Sequence, residues 1–187
     1  MARKNQSTYN RIIRIAGDMI RRDGYDQVTV AQIVKEAGIS LGTFYHYFPS
    51  KKSVLAGVRK IDSYFENKVR PVLKHQALLE DVGIFWSKYT DYVENDGLAV
   101  VRGLYQNFQA KLLISEKSVL FLMLMGILEE GVARGELQEN FDKKQLIARM
   151  FMCVHGVTMQ WIIHDGNLDI RREIAEVTSD LLRIHMV

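Results

Sequence analysis

One cysteine and two prolines among 187 residues set the first limits. Cys153 alone makes neither an internal disulfide nor a cysteine-based zinc site, which fits a reducing, cytoplasmic setting. With prolines only at 49 and 71, few positions are barred to helix. No acidic residue occurs from Ala37 to Ile61. The longest apolar run, Val119 to Leu128, is about half the ~20 residues a membrane span needs, so no membrane partner is expected. The opening MARKNQSTYNR is basic but has no apolar stretch, so no secretory signal is expected. Phosphate-binding loops, dinucleotide fingerprints and nucleophile elbows are missing, so nothing points to an enzyme. His155 and His164 stand nine apart, a poor ligand spacing even beside Asp165. Neither a metal nor another cofactor is expected.

What is present is helical period and uneven charge. Residues 1–60 hold eleven basic against four acidic residues, a net +7, while the remainder holds fourteen against eighteen, a net −4. A basic third on a mildly acidic body points to a polyanion partner for that third. Apolar residues recur at helical spacing, with glycines as stop signals. The fold class is therefore all-α: an N-terminal three-helix helix-turn-helix head plus a C-terminal helical bundle, about nine helices in total. The division is set at residue 50, with the head over 1–50 and the helical body over 51–187.

The first helix is expected from about Ser7 to Arg22, leaving Arg3 and Lys4 as a loose basic arm. Thr29 caps a second helix that closes at Gly38. Ser40 caps a third. The segment SLGTFYHYFPSKKS has strand-like composition, yet Leu41, Phe44, Tyr45 and Phe48 fall at i, i+3, i+4 and i+7, one helical stripe. Two short helices joined by about three residues including glycine form a helix-turn-helix. A fourth helix runs from Ser50 to about Arg70. Further helices cover about Leu79–Asn95, Leu98–Ile114, Glu116–Arg134, Asp142–His164 and Asp169–His185.

In such a unit the second helix enters the major groove, and its first turn meets base edges. Leu41, Gly42 and Thr43 occupy that turn: apolar contact, close backbone approach and a hydroxyl. His46 lies one turn on. Tyr45 and Tyr47 can donate to phosphate oxygens, which sets register. The gapless run from Thr29 through Ala37-Gly38-Ile39-Ser40-Leu41-Gly42-Thr43-Phe44-Tyr45-His46-Tyr47-Phe48 to Lys51 and Leu55 resembles the DNA-binding signature of TetR-type transcriptional regulators. The resemblance covers roughly residues 8 to 57. It implies double-stranded operator DNA as partner, a phosphate contact from Lys51, a contact from the Thr29 hydroxyl to the DNA backbone, a homodimer, and a small apolar or amphipathic effector that releases a repressor from a palindromic operator. The competing reading is a helical adaptor without sequence-specific DNA binding.

Two stripes in the body look like seams. Ile170, Ile174, Val177, Leu181 and Ile184 are spaced 4, 3, 4, 3; Ile147, Met150, Val154, Val157 and Trp161 are spaced 3, 4, 3, 4. The expected dimer interface takes Val154, Val157 and Trp161 from one and all five residues of the other. Trp86, Tyr89, Tyr105, Phe108, Met125, Phe151 and His155 are the expected effector-pocket residues, large and adaptable with a few polar tips.

Overall fold

The computed structural model describes residues 2–58, 60–107 and 115–187, the side chains of 2–5 and 56 excepted. Ten α-helices appear among them: α1 (Ala2–Asp23), α2 (Val30–Ala37), α3 (Leu41–Tyr47), α4 (Lys51–Val58), α5 (Ile61–Tyr64), α6 (Leu78–Asp96), α7 (Leu98–Asn107), α8 (Val119–Ala133), α9 (Lys143–Ile163) and α10 (Ile170–Arg183). No strand is formed among the described residues; a single bridge pairs Leu137 with Met186. The all-α reading holds.

Local chemistry explains the boundaries. Ser118, Asp142 and Asp169 each accept the N–H of the residue three on, capping α8, α9 and α10. Gly38 ends α2 at φ 60°, a left-handed conformation that costs glycine nothing. Two expectations need correction. The helix α1 begins at Ala2, so the Arg3–Lys4 segment is helical and not a loose arm; nothing before Ser7 breaks a helix. The helix expected from Ser50 to Arg70 is α4, then α5 running into a π-helical turn (Phe65–Val69) and a 3₁₀ turn (Arg70–Val72). Pro71 lacks an N–H and cannot continue an α-helical ladder there.

Two compact units result. In the first, α1–α4 pack with α7 around Ile12, Ala16, Ile20, Ile33, Phe44, Phe48, Leu55 and Val100, each at most 2% exposed. At Gly103 of α7, a Cβ would lie 2.8 Å from Cβ of Tyr25, so only glycine permits this approach. In the second, α5, α6 and α8–α10 enclose Phe65, Phe85, Trp86, Leu124, Ile147 and Val154. Here Arg171 of α10 bonds Asp91 and Glu94 of α6 at 2.8 and 2.6 Å.

Candidate DNA-reading face and effector core

Successive residues of an α-helix advance about 100°. On α3 this sorts the aromatic stripe differently from its spacing. Leu41, Gly42, Tyr45 and His46 fall on one continuous arc, and all four are exposed, Leu41 by 53% and Tyr45 by 50%. Thr43 and Tyr47 lie opposite that arc, half-buried, and Phe44 beside them is buried; Phe48 is buried too, but it stands past the end of α3 in extended backbone (φ −136°), where the helical period no longer places it. The stripe 41/44/45/48 is therefore split. Tyr9 of α1 stacks on Phe48 at 4.9 Å, and Phe44 lies 5.9 Å from Phe48. Those contacts cover one edge of the stripe and leave the other free.

The hydroxyls near this face are already occupied. Ser40 accepts the N–H of Thr43 at 3.1 Å, and the two hydroxyls share a 2.8 Å hydrogen bond. Thr29 forms a capping box with Gln32: its N–H and hydroxyl both donate to Oε1 of Gln32, and its Oγ1 accepts the N–H of Gln32. The ring of His46 lies edge-on to that of Tyr47 at 5.1 Å.

Lys51 behaves in a way its position did not suggest. Its Nζ donates to the carbonyls of Tyr25 at 2.8 Å and Val28 at 2.9 Å, and sits 4.0 Å above the Tyr25 ring. The charge thus ties the start of α4 to the loop between α1 and α2. Only the third ammonium proton is left for an anion. Ser50 caps α4 by accepting the N–H of Ser53.

In the second unit, α6 and α9 bring together three of the expected pocket residues. Trp86, Tyr89 and Phe151 pack edge to face, with centroids 5.1 Å apart for Trp86–Phe151 and 5.7 Å for Trp86–Tyr89. His155 lies 6.3 Å from Phe151, and Met125 of α8 is half-buried. Buried Nε1 of Trp86 has no hydrogen-bond partner among the described residues. Tyr105, buried on α7, belongs to the first unit, and Phe108 lies outside the described residues.

The seams sort by burial too. Val154, Trp161, Ile170 and Ile174 are buried inside the chain, Val157, Val177 and Leu181 are half-buried, and Ile184 is 68% exposed. The exposed row on α9 is instead Met152, Gly156, Met159 and Ile163, spaced 4, 3, 4. Helix α9 is long and apolar enough to cross a membrane by length and composition; it is packed against α8 and α10.

The profile described as "Bacterial regulatory proteins, tetR family" matches residues 12–58, over the exposed arc and its supports. That of the "YsiA-like protein, C-terminal region" matches residues 58–184. The chain belongs to the TetR family. It is a ligand-responsive, DNA-binding transcriptional regulator, as the helix-turn-helix signature implied. The TetR chain is 27% identical over 175 residues to the "Fatty acid metabolism regulator protein" of Bacillus subtilis, 90% of each chain. It is 26% identical over 174 residues to the "HTH-type transcriptional repressor KstR2" of Rhodococcus jostii, 85% of this chain and 81% of that one. The solved structure of the transcriptional regulator FadR from Bacillus subtilis, in complex with stearoyl-CoA, is 25% identical, covers 93% of this chain and 97% of that one, and superposes with a TM-score of 0.66.

Proposed function

We propose that this regulator is a cytoplasmic homodimeric repressor, without enzymatic activity and without a membrane partner, released from a palindromic operator by a ligand bearing a long acyl chain. The observation that carries the DNA half is the exposed arc of α3. Leu41 and His46 contact base edges, Gly42 lets backbone approach, and Tyr45 and Tyr47 donate to phosphates. Thr43, the Thr29 hydroxyl and the third N–H of Lys51 complete the footprint.

Two copies of α3 need a two-fold axis, with half-sites about one helical turn apart. The row Met152–Gly156–Met159–Ile163 on α9 and the row Val177–Leu181–Ile184 on α10 supply the interface. A Cβ at Gly156 would meet nothing within 4 Å, leaving room for a partner helix. Val154, Trp161, Ile170 and Ile174 support these rows from beneath.

The acyl ligand is supported by the relative whose structure holds stearoyl-CoA. Trp86, Tyr89, Met125, Phe151 and His155 form the apolar wall, and Nε1 of Trp86 is a buried donor awaiting an acceptor such as a thioester carbonyl. An effector that binds better when the reading heads are wrongly spaced for the operator weakens DNA binding by the same free energy.

The test uses a duplex selected from a random pool by the full chain. Stearoyl-CoA should release that duplex, and Trp86→Phe should weaken the release. Ligand binding with unchanged DNA affinity contradicts the reading.

A further inference from the structure

Three side chains far apart in sequence meet in the second unit. His75 stands in the link before α6, Asp81 in the first turn of α6, and Glu130 near the end of α8. Nδ1 of His75 lies 2.8 Å from Oε2 of Glu130. One potential ligand atom from each of the three falls within 4.8 Å of the others. His75 has φ 55°, a left-handed conformation uncommon outside glycine.

Asp81 is the residue that calls for a ligand. It is 0% exposed. Its Oδ1 accepts the N–H of Lys74 at 2.7 Å, but Oδ2 is buried with no hydrogen-bond partner among the described residues. A carboxylate oxygen removed from water without a donor is unfavourable. The neighbouring cations feel the Asp81 charge but pair directly with other carboxylates: Lys74 with Glu80, and Arg134 with Glu136 and, at 3.7 Å, with Glu130. Four carboxylates (Glu80, Asp81, Glu130 and Glu136) face two basic side chains, leaving an excess of negative charge.

We propose that His75, Asp81 and Glu130 bind a divalent transition-metal ion of the zinc class. One imidazole nitrogen and two carboxylate oxygens suit such an ion better than magnesium or calcium, which favour oxygen alone. Ligand atoms at about 2.1 Å from one tetrahedral ion lie ~3.4 Å apart, so side-chain closure of up to about 1.4 Å completes the set. The ion supplies the charge that Oδ2 of Asp81 lacks. It pins the link before α6 to the end of α8. His155 and His164 take no part, and no sequence spacing announces the site.

The test is calorimetric titration of the full chain, stripped with chelator, with Zn²⁺, and with Co²⁺ for its visible absorption. About one ion per chain should bind at micromolar concentration, and Zn²⁺ should raise the melting temperature. His75→Asn keeps a residue that tolerates the left-handed backbone, and Glu130→Gln keeps size. Each should weaken binding by about tenfold or more while leaving the metal-free melting temperature near that of the parent chain. Absence of saturable binding below roughly 100 µM overturns the proposal. So does parental affinity in both variants, or a site lost in His164→Asn instead.

Discussion

Lys51 and Tyr25 stand 26 residues apart, yet the lysine Nζ donates to the tyrosine carbonyl at 2.8 Å and caps the ring's face at 4.0 Å. A positive charge at a helix start is unfavourable by itself. Here it is compensated by two loop carbonyls and an aromatic face. The loop between α1 and α2 is thereby fixed against α4, and with it the platform beneath α3.

Removing that tie should cost stability as well as DNA affinity. Lys51→Met is expected to destabilise the chain by about 1–3 kcal/mol, since two buried-side carbonyls lose a charged donor. Urea denaturation checks this. A variant as stable as the parent would leave Lys51 with a phosphate role alone.

Gly103 gives a steric prediction. Alanine there sets a methyl 2.8 Å from Cβ of Tyr25, where neither backbone yields easily. Overpacking of this kind costs about 1–3 kcal/mol. Gly126→Ala on α8 is the matched control, because its Cβ would meet nothing within 4 Å; gain of helix propensity should stabilise it by up to ~1 kcal/mol. Thermal melts of the two should move in opposite directions.

The exposed rows of α9 and α10 predict assembly. Met159→Glu with Ile163→Asp should turn a dimer into a folded monomer in sedimentation velocity, with helical content retained. A dimer that survives both charges removes these rows from the interface.

Acid should loosen α6 from α10. Burial pushes the Asp91 carboxyl upward, but hydrogen bonds and charge from Lys88 and Arg171 outweigh it and hold the group below its ordinary range. A depressed folded pKa stabilises above the unfolded value of ~3.9, and that contribution is lost as pH falls through the folded one. Asp91→Asn should therefore be less stable than the parent at pH 7 by about 0.5–1 kcal/mol, a surface-pair magnitude. The gap should close below pH ~4. A constant gap across that range contradicts the ion-pair account.

How far the sequence could be read depended on the range of each interaction. The caps Thr29, Ser40, Asp142 and Asp169 act over three residues, so the helix starts were legible. The faces of α3 were not, because Tyr9 decides which edge of the aromatic stripe is covered. On α9, apolar residues surround much of the helix, so period alone does not choose between the 147/150/154/157/161 stripe and the exposed 152/156/159/163 row. The partners of Lys51 are 23 and 26 residues away, and those of His75 include one 55 away. No spacing motif encodes contacts of that length.

The central claim is that Leu41 and His46 on the exposed arc of α3 read bases. Fluorescence anisotropy on the selected duplex and on random duplex, at two salt concentrations, tests it most directly with the variant Leu41→Ala, His46→Ala. The account predicts a loss of about tenfold to a hundredfold on the selected duplex, little change on random DNA, and an unchanged salt slope, since no phosphate contact is removed. Equal affinity of parent and variant for the selected duplex would contradict it.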